Sequence, residues 1–199
     1  MKRVLRISLI IFAAFASLFL YQLQYNKGKQ NDEVTYHANL TKNINLKSSD
    51  FENDGQMPVD VADKGINHSP QLSWDTLPAG TKSLAILVTD YDAPSPKLHI
   101  FTASHWVLYN IPVDVHSIAK GASADTLKNL NIDQGKNYAG EHYYTGPRPP
   151  FGVHHYYFRI YALDYSHLFL SDDNRNELYK AMKGHVLGYG ELVGEFGKE

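Results

Sequence analysis

Apolar residues fall in short runs along this chain, and turn chemistry separates them. Leu40–Leu46 sets Leu40, Lys42, Ile44 and Leu46 against Thr41, Asn43 and Asn45. Ser83–Thr89 is a continuous apolar run, the pattern of a buried strand. His105–Ile111 and Tyr156–Leu163 are rich in aromatic and β-branched residues. Pro58, Pro70, Pro78, Pro94, Pro96, Pro112 and the Pro147–Pro150 cluster lie between such runs. One helix is predicted late in the chain. Ser171-Asp172-Asp173 offers N-cap candidates and an acidic first turn, Leu178 and Met182 lie four apart, and Gly184 suits the position after the helix. Many short strands with a late helix predict a mostly β, two-sheet sandwich-like fold with one or two short peripheral helices.

The first 38 residues break this pattern. Lys2, Arg3 and Arg6 precede Ile7–Leu20, in which only Ser8 and Ser17 are polar. A basic stretch before an apolar one is an export signal, and no polar face supports a core helix instead. Ala14-Phe15-Ala16 matches a cleavage pattern, but cutting there leaves Leu18-Phe19-Leu20-Tyr21 on the mature end. Ile7–Leu23 is about the shortest run that spans a bilayer, which favours an uncleaved anchor helix over a cleaved signal. The expected organisation is therefore 1–23 signal peptide or anchor, 24–38 polar tether and 39–199 folded domain, outside the cytoplasm in the cell envelope or periplasm.

Composition removes several function classes. The 199 residues, less the N-terminal segment, suit one domain with one core. The absence of cysteine excludes disulfides, thiolate nucleophiles and Cys-ligated zinc. Without Lys2, Arg3 and Arg6, 16 basic residues face 21 acidic ones, and no Lys/Arg stripe exists to bind nucleic acid. Fourteen tyrosines supply a residue that suits both strands and polar pockets.

Three segments carry candidate chemistry. Asp90-Tyr91-Asp92-Ala93-Pro94 sends two carboxylates off the end of the buried strand into a turn; by itself it also reads as a capped turn. His105-Trp106-Val107-Leu108-Tyr109-Asn110 places a histidine at the mouth of an apolar strand, where a lone histidine is more often structural. Gly146-Pro147-Arg148-Pro149-Pro150-Phe151-Gly152 fixes an unusual loop shape. The strand after it presents His154 and Tyr156 on one face and His155, Tyr157 and Arg159 on the other.

The three segments together resemble the phosphatidylethanolamine-binding protein family. Asp90–Pro94 matches its D-P-D-x-P signature apart from Tyr91, and His105–Asn110 matches its His-aromatic strand. Gly146–Phe158 matches its G-P-x-P-P-x-G-x-H-x-Y-x-F stretch, and further matches extend the resemblance over about residues 40–196. The resemblance implies a two-sheet fold with a small pocket for phosphate-type groups such as phosphorylethanolamine. By motif position it assigns Asp90, Asp92, Pro94, His105, Gly146, Pro147, His154 and Tyr156 to that pocket. It implies a small phosphorylated or zwitterionic ligand and no cofactor or metal. Two departures stand out. Tyr91 replaces a proline of the signature, and the chain ends at Glu199 without the C-terminal helix of the animal members, so kinase inhibition is not carried over.

Rival readings remain. Two His and two Asp could form an acid–base pair or metal site, yet no HExxH, GxSxG, P-loop or GxGxxG pattern is present. Ser104 adjoins His105 but belongs to the opposite strand face. A protease or other enzyme inhibitor acting by protein contact is the main alternative, and the reading allows a protein partner and a homodimer. Asn39-Leu40-Thr41 and Asn67-His68-Ser69 match glycosylation sequons, which matter only on a eukaryotic secretory route.

Overall fold

The computed structural model describes Lys2–Lys198, with the side chains of residues 2–6 and Leu9 left aside. The basic residues Lys2, Arg3 and Arg6 of the expected export signal thus lie outside the described side chains. In chain order the elements are α1 (Lys2–Ala38), β1 (Leu46–Lys47), β2 (Gly55–Gln56), a 3₁₀ turn (Val59–Val61), β3 (Leu72–Trp74), β4 (Ser83–Asp90), β5 (Ala103–Ile111), β6 (Ser117–Ile118), α2 (Ala124–Asn129), β7 (Asp133–Gln134), β8 (Gly152–Leu163), α3 (Arg175–Met182) and β9 (Val186–Lys198). A six-stranded sheet runs β2-β9-β8-β4-β5-β7 and a three-stranded sheet runs β1-β3-β6. Every pairing is antiparallel except β2 with β9. The described residues are therefore mostly β, with two sheets and three helices, in keeping with the predicted β-rich, two-sheet pattern.

β4 is the central strand, and all eight of its residues are buried. Leu84, Ile86 and Val88 join Trp106, Leu108, Tyr156, Phe158 and Ile160 in a core closed by Leu46, Leu72, Trp74 and Ile118 of the small sheet. Ala85 and Leu87 face the other way, onto Tyr161, Leu163, Leu168, Leu178, Met182 and Tyr189. Burial on both faces explains why this strand reads as a continuous apolar run instead of an alternating one.

Three local expectations need correcting. Leu40–Leu46 is not a strand: only Leu46–Lys47 pairs, and Lys42 makes one isolated bridge to Tyr189. The α3 cap is Asn174, whose side chain accepts from the N–H groups of Asn176 (2.9 Å) and Glu177 (3.1 Å). Asp172 and Asp173 lie ahead of the helix and take Lys136 instead, at 2.7 and 3.1 Å. At the other end the expectation holds, since Gly184 follows the C-cap at φ +83°.

The third difference is at the N-terminus. Residues 24–38, expected as a polar tether, continue α1 as helix. Ile7, Phe12, Phe15 and Leu18 are exposed, and among the described residues no helix is long and apolar enough to cross a membrane. The last turns of α1 dock on the outer face of the large sheet. Glu33 ion-pairs with Arg175 and accepts from the Tyr91 hydroxyl at 2.7 Å. Tyr91 in turn accepts from Arg159 Nη1 at 2.6 Å, and Arg159 Nε donates to Glu191 at 2.7 Å. Tyr91, the departure from the family signature, is thus the link between the pocket turn and α1.

His37 completes this docking, with Nε2 2.8 Å from the Tyr161 hydroxyl. Burial, helped by the Arg159 charge and opposed by Glu191, lowers its pKa to about 3, against an unperturbed value of about 6.5. The folded state therefore holds His37 neutral. Its contribution is complete above pH ~6.5 and is lost as pH falls from there through about 3, with a slope of at most about 1.4 kcal/mol per pH unit. His37→Gln, which keeps a hydrogen-bonding side chain but cannot titrate, should flatten the loss of stability between pH 7 and 4. Denaturant unfolding midpoints across that range check this; identical slopes in both proteins would refute it.

Candidate functional site

The site forms where β5, β4 and β8 end side by side. Asp90, the last residue of β4, pairs in register with Ala103 of β5 and Tyr156 of β8. Alternation along β8 sends His154 and Tyr156 to the same face as Phe158. On β5 the register slips between Val88↔Trp106 and Thr89↔Ser104, so His105 is an extra residue. Such a bulge re-aims side chains, and here it lets both His105 and Trp106 face the core side of the sheet. Ser104 lines a separate hollow with Lys136 and Arg175, so it forms no dyad with His105.

These residues enclose a cavity of about 100 Å³. Asp90, Pro94, His105, His154 and Tyr156 line it, together with Ala93, Ala103, Phe101, Tyr138 and Arg148-Pro149-Pro150. Asp92 does not line it. Once β4 ends, the Asp92 N–H turns back onto Asp90 Oδ1 (2.7 Å), and the Asp92 carboxylate instead takes the His155 N–H (2.9 Å) and Nδ1 (2.8 Å). Gly146 and Pro147 also lie outside the lining and position the loop. Gly146 N–H donates to Asn67 Oδ1 at 2.7 Å, and Pro147 O accepts from Asp63 N at 3.1 Å. A Cβ at Gly146 would lie 2.2 Å from Val61 O, so only glycine allows this approach.

The two histidines are held in different states. His154 Nδ1 donates to Asp90 Oδ2 at 2.8 Å, and Nε2 donates to Phe151 O at 3.2 Å. Both partners are acceptors, so both nitrogens carry protons. Burial opposes that charge, but the Asp90 hydrogen bond, the Asp90 and Asp92 charges and the Phe151 carbonyl outweigh it and raise the pKa. His105 Nδ1 donates to Thr145 O at 2.6 Å, and burial lowers its pKa, opposed mainly by Asp90. The Tyr156 ring separates them, 5.1 Å from His105 and 6.4 Å from His154 between centroids. Burial, then the Asp90 charge, pushes the Tyr156 phenol far up, so it stays a neutral donor.

Arg148 places a guanidinium at the rim, paired with Asp63 at 3.1 Å and largely exposed. Tyr138 is held there by its N–H on Ser104 O at 2.8 Å, and its ring meets His105 at 5.3 Å. Arg148 is absent from the residues that the resemblance assigns to the pocket, because it occupies a variable position of the proline-rich motif. Phe101 and Tyr138 sit in irregular segments with no pattern to mark them.

The family model described as phosphatidylethanolamine-binding protein matches residues 47–197. The chain belongs to the phosphatidylethanolamine-binding protein family. Among its relatives, a UPF0098 protein of Methanothermobacter thermautotrophicus is 41% identical over 152 residues, covering 76% of this chain and 97% of that protein. A phosphatidylethanolamine-binding protein homologue of Chlamydia trachomatis has a crystal structure that superposes with TM-score 0.68 at 34% identity, covering 80% of this chain and 100% of that one. E. coli YbcL, whose structure was described as a new member of the mammalian family, gives TM-score 0.70 at 25% identity, covering 78% and 99%. All three motif segments of this phosphatidylethanolamine-binding protein family member contribute to the cavity, and Phe101, Ala103 and Tyr138 complete it.

The Asp90–His154 pair has a testable signature. His154 contributes stability that is fully present below pH ~6.5 and is lost as pH rises through its raised folded value. Asp90→Asn removes the charge that holds the proton, so the His154 midpoint should fall, and stability should drop by about 3–5 kcal/mol for a broken buried pair. An imidazole NMR titration reads the midpoint. A midpoint unchanged in the variant would show that Asp90 does not set the His154 charge.

Proposed function

We propose that the cavity binds a small phosphate-type head group, of the phosphorylethanolamine kind, and that the protein does so on the outer side of the cytoplasmic membrane. The observation that carries the reading is the buried imidazolium of His154, fixed by Asp90, beside the Tyr156 hydroxyl and below the Arg148 guanidinium. Cationic and neutral donors converging on a small hollow suit phosphate oxygens. Asp90 balances His154, which limits the net charge and favours a singly charged ligand. The family's description names a lipid whose head group, a phosphodiester, shares the phosphate and ammonium groups of this ligand. The cavity reads as a binding site and not a catalytic one, because Ser104 faces elsewhere and Asp90 is spent on holding His154.

Affinity should be modest, because the cavity admits few ligand atoms. Phosphorylethanolamine should bind the full-length protein with Kd of order 0.1–10 mM, on the general scale of ligand efficiency. Arg148→Ala, an exposed change that leaves the fold intact, should weaken binding severalfold. His154→Ala should weaken it at least about tenfold, the scale of a lost opposite charge at a poorly solvated site. Titration calorimetry with NMR shifts at Tyr156 provides the measurement. Full-strength binding in both variants would place the ligand elsewhere.

The basic-then-apolar N-terminus and the exposed apolar side chains of Ile7, Phe12, Phe15 and Leu18 on α1 support export and membrane association. A fusion of the first 40 residues to a reporter active only after export should give signal. A silent fusion, soluble in the cytoplasm, would refute the localisation; a membrane-bound product of uncut mass would favour an anchor over cleavage.

A further inference from the structure

We propose that His105 is the specificity determinant of the cavity: its Nε2 accepts a hydrogen bond from the ligand, so the site selects a tetrahedral oxyanion that carries a proton, a phosphate monoester monoanion, over one of like shape and charge that carries none. This rests on the phosphate-pocket reading above and narrows its ligand.

Thr145 sets the tautomer of His105. Its carbonyl can only accept, so at 2.6 Å it fixes a proton on His105 Nδ1. His105 is 4% exposed and lines the cavity, and its Nε2 is fully buried without a hydrogen-bond partner in the protein. Burial lowers the pKa of the ring, which favours its neutral form. A neutral imidazole protonated on Nδ1 offers a lone pair at Nε2 and no donor there. A buried acceptor left unmet is costly, so a ligand that presents a donor to it gains, and one that presents an oxygen lone pair is repelled.

The rest of the lining fits a monoanion with one proton. Tyr156 supplies a donor, His154 supplies positive charge while its N–H groups stay on Asp90 and Phe151, and Arg148 supplies a cation at the rim. Asp90, whose oxygens are taken by His154 and the Asp92 N–H, adds negative charge that opposes a dianion. The charged and titratable groups that face His105 are Asp90 from β4, His154 and Tyr156 from β8, Tyr138 from its loop and, at longer range, Asp63. A phosphate monoester below its second ionisation, near pH ~6, has the required single charge and P–OH donor. A phosphodiester has the charge but not the donor.

Methyl phosphate and methyl sulfate make the test. At pH ~5 both are essentially monoanions of the same shape, and only methyl phosphate carries a proton on the oxyanion. The full-length protein should bind methyl phosphate at least about tenfold more tightly than methyl sulfate, as expected for one lost polar contact at a buried site. Glycerophosphorylethanolamine, a diester with an ammonium, should bind as weakly as methyl sulfate. In His105→Gln the amide can turn its NH₂ toward the ligand, and the preference should shrink to within about threefold. Short-chain phosphatidic acid separates the sources of a monoester: tighter binding than methyl phosphate assigns the ligand to a lipid, and equal binding to a soluble ester. Equal binding of methyl phosphate and methyl sulfate by the unaltered protein would overturn the inference, with no need for the variant to fold. Binding of the diester as tight as methyl phosphate would also overturn it, by showing that the ammonium is the donor. Binding of neither methyl ester at 10 mM, roughly the ceiling set by ligand efficiency, would instead overturn the phosphate-pocket reading itself.

Discussion

The hydrogen-bonded pair of Asp90 and His154 is the constraint on which the site depends. It joins the last residue of the central strand to the third residue of β8, across neighbouring strands, with both side chains almost fully buried. Neither partner is tolerable there alone, because an unpaired buried charge is strongly unfavourable. The pair therefore fixes the charge of His154 as well as its position. It also ties down two loops. Asp90 Oδ1 receives the Asp92 N–H and shapes the turn, while His154 Nε2 reaches Phe151 O and holds the proline-rich loop over the cavity.

Around this pair the two histidines divide the work by environment. His154 has acceptors on both sides and is held as a cation. His105 has one backbone acceptor and deep burial, and is pushed toward neutrality. Two side chains of the same type, both packed on Tyr156, thus bring different character to one small hollow, a fixed positive charge from His154 and an unmet ring nitrogen from His105. Such separation of titrating states by environment is how a site discriminates ligands that differ by a proton.

The opposite face of the sheet carries a second polar network that reaches the same turn. Arg159 stacks on Tyr157 at 4.7 Å and Tyr91 at 5.4 Å while bonding Glu191, and Tyr91 passes the network on to Glu33 of α1. The pocket turn is therefore gripped from both sides, by Asp90 within the cavity and by Tyr91 beneath it. The tyrosine that departs from the family signature serves this outer grip and does not enter the cavity lining.

Local chemistry made much of this legible. The apolar run at Ser83–Thr89 announces a strand buried on both faces because every residue of β4 is covered. The face shared by His154 and Tyr156 follows from the two-residue repeat of a strand, and the proline-rich loop from residues that permit few backbone shapes. These are properties of residues close in sequence, so the sequence carries them. What depends on pairing between distant strands it does not carry. The slip that turns His105 beside Trp106 exists only in the register of β5 against β4. The divergence of Asp92 from Asp90 depends on where β4 stops and on the nearby His155 of β8. The helical continuation of α1 through residues 24–38 has no apolar stripe to announce it, and its last turns meet Arg175, Tyr91 and Tyr161 across the fold. Charge state lies furthest from the sequence, because burial and a partner's position set it. Nothing within ten residues of His105 or His154 distinguishes a neutral imidazole from a cation; the carbonyl of Thr145 and the carboxylate of Asp90, brought in by the tertiary fold, do.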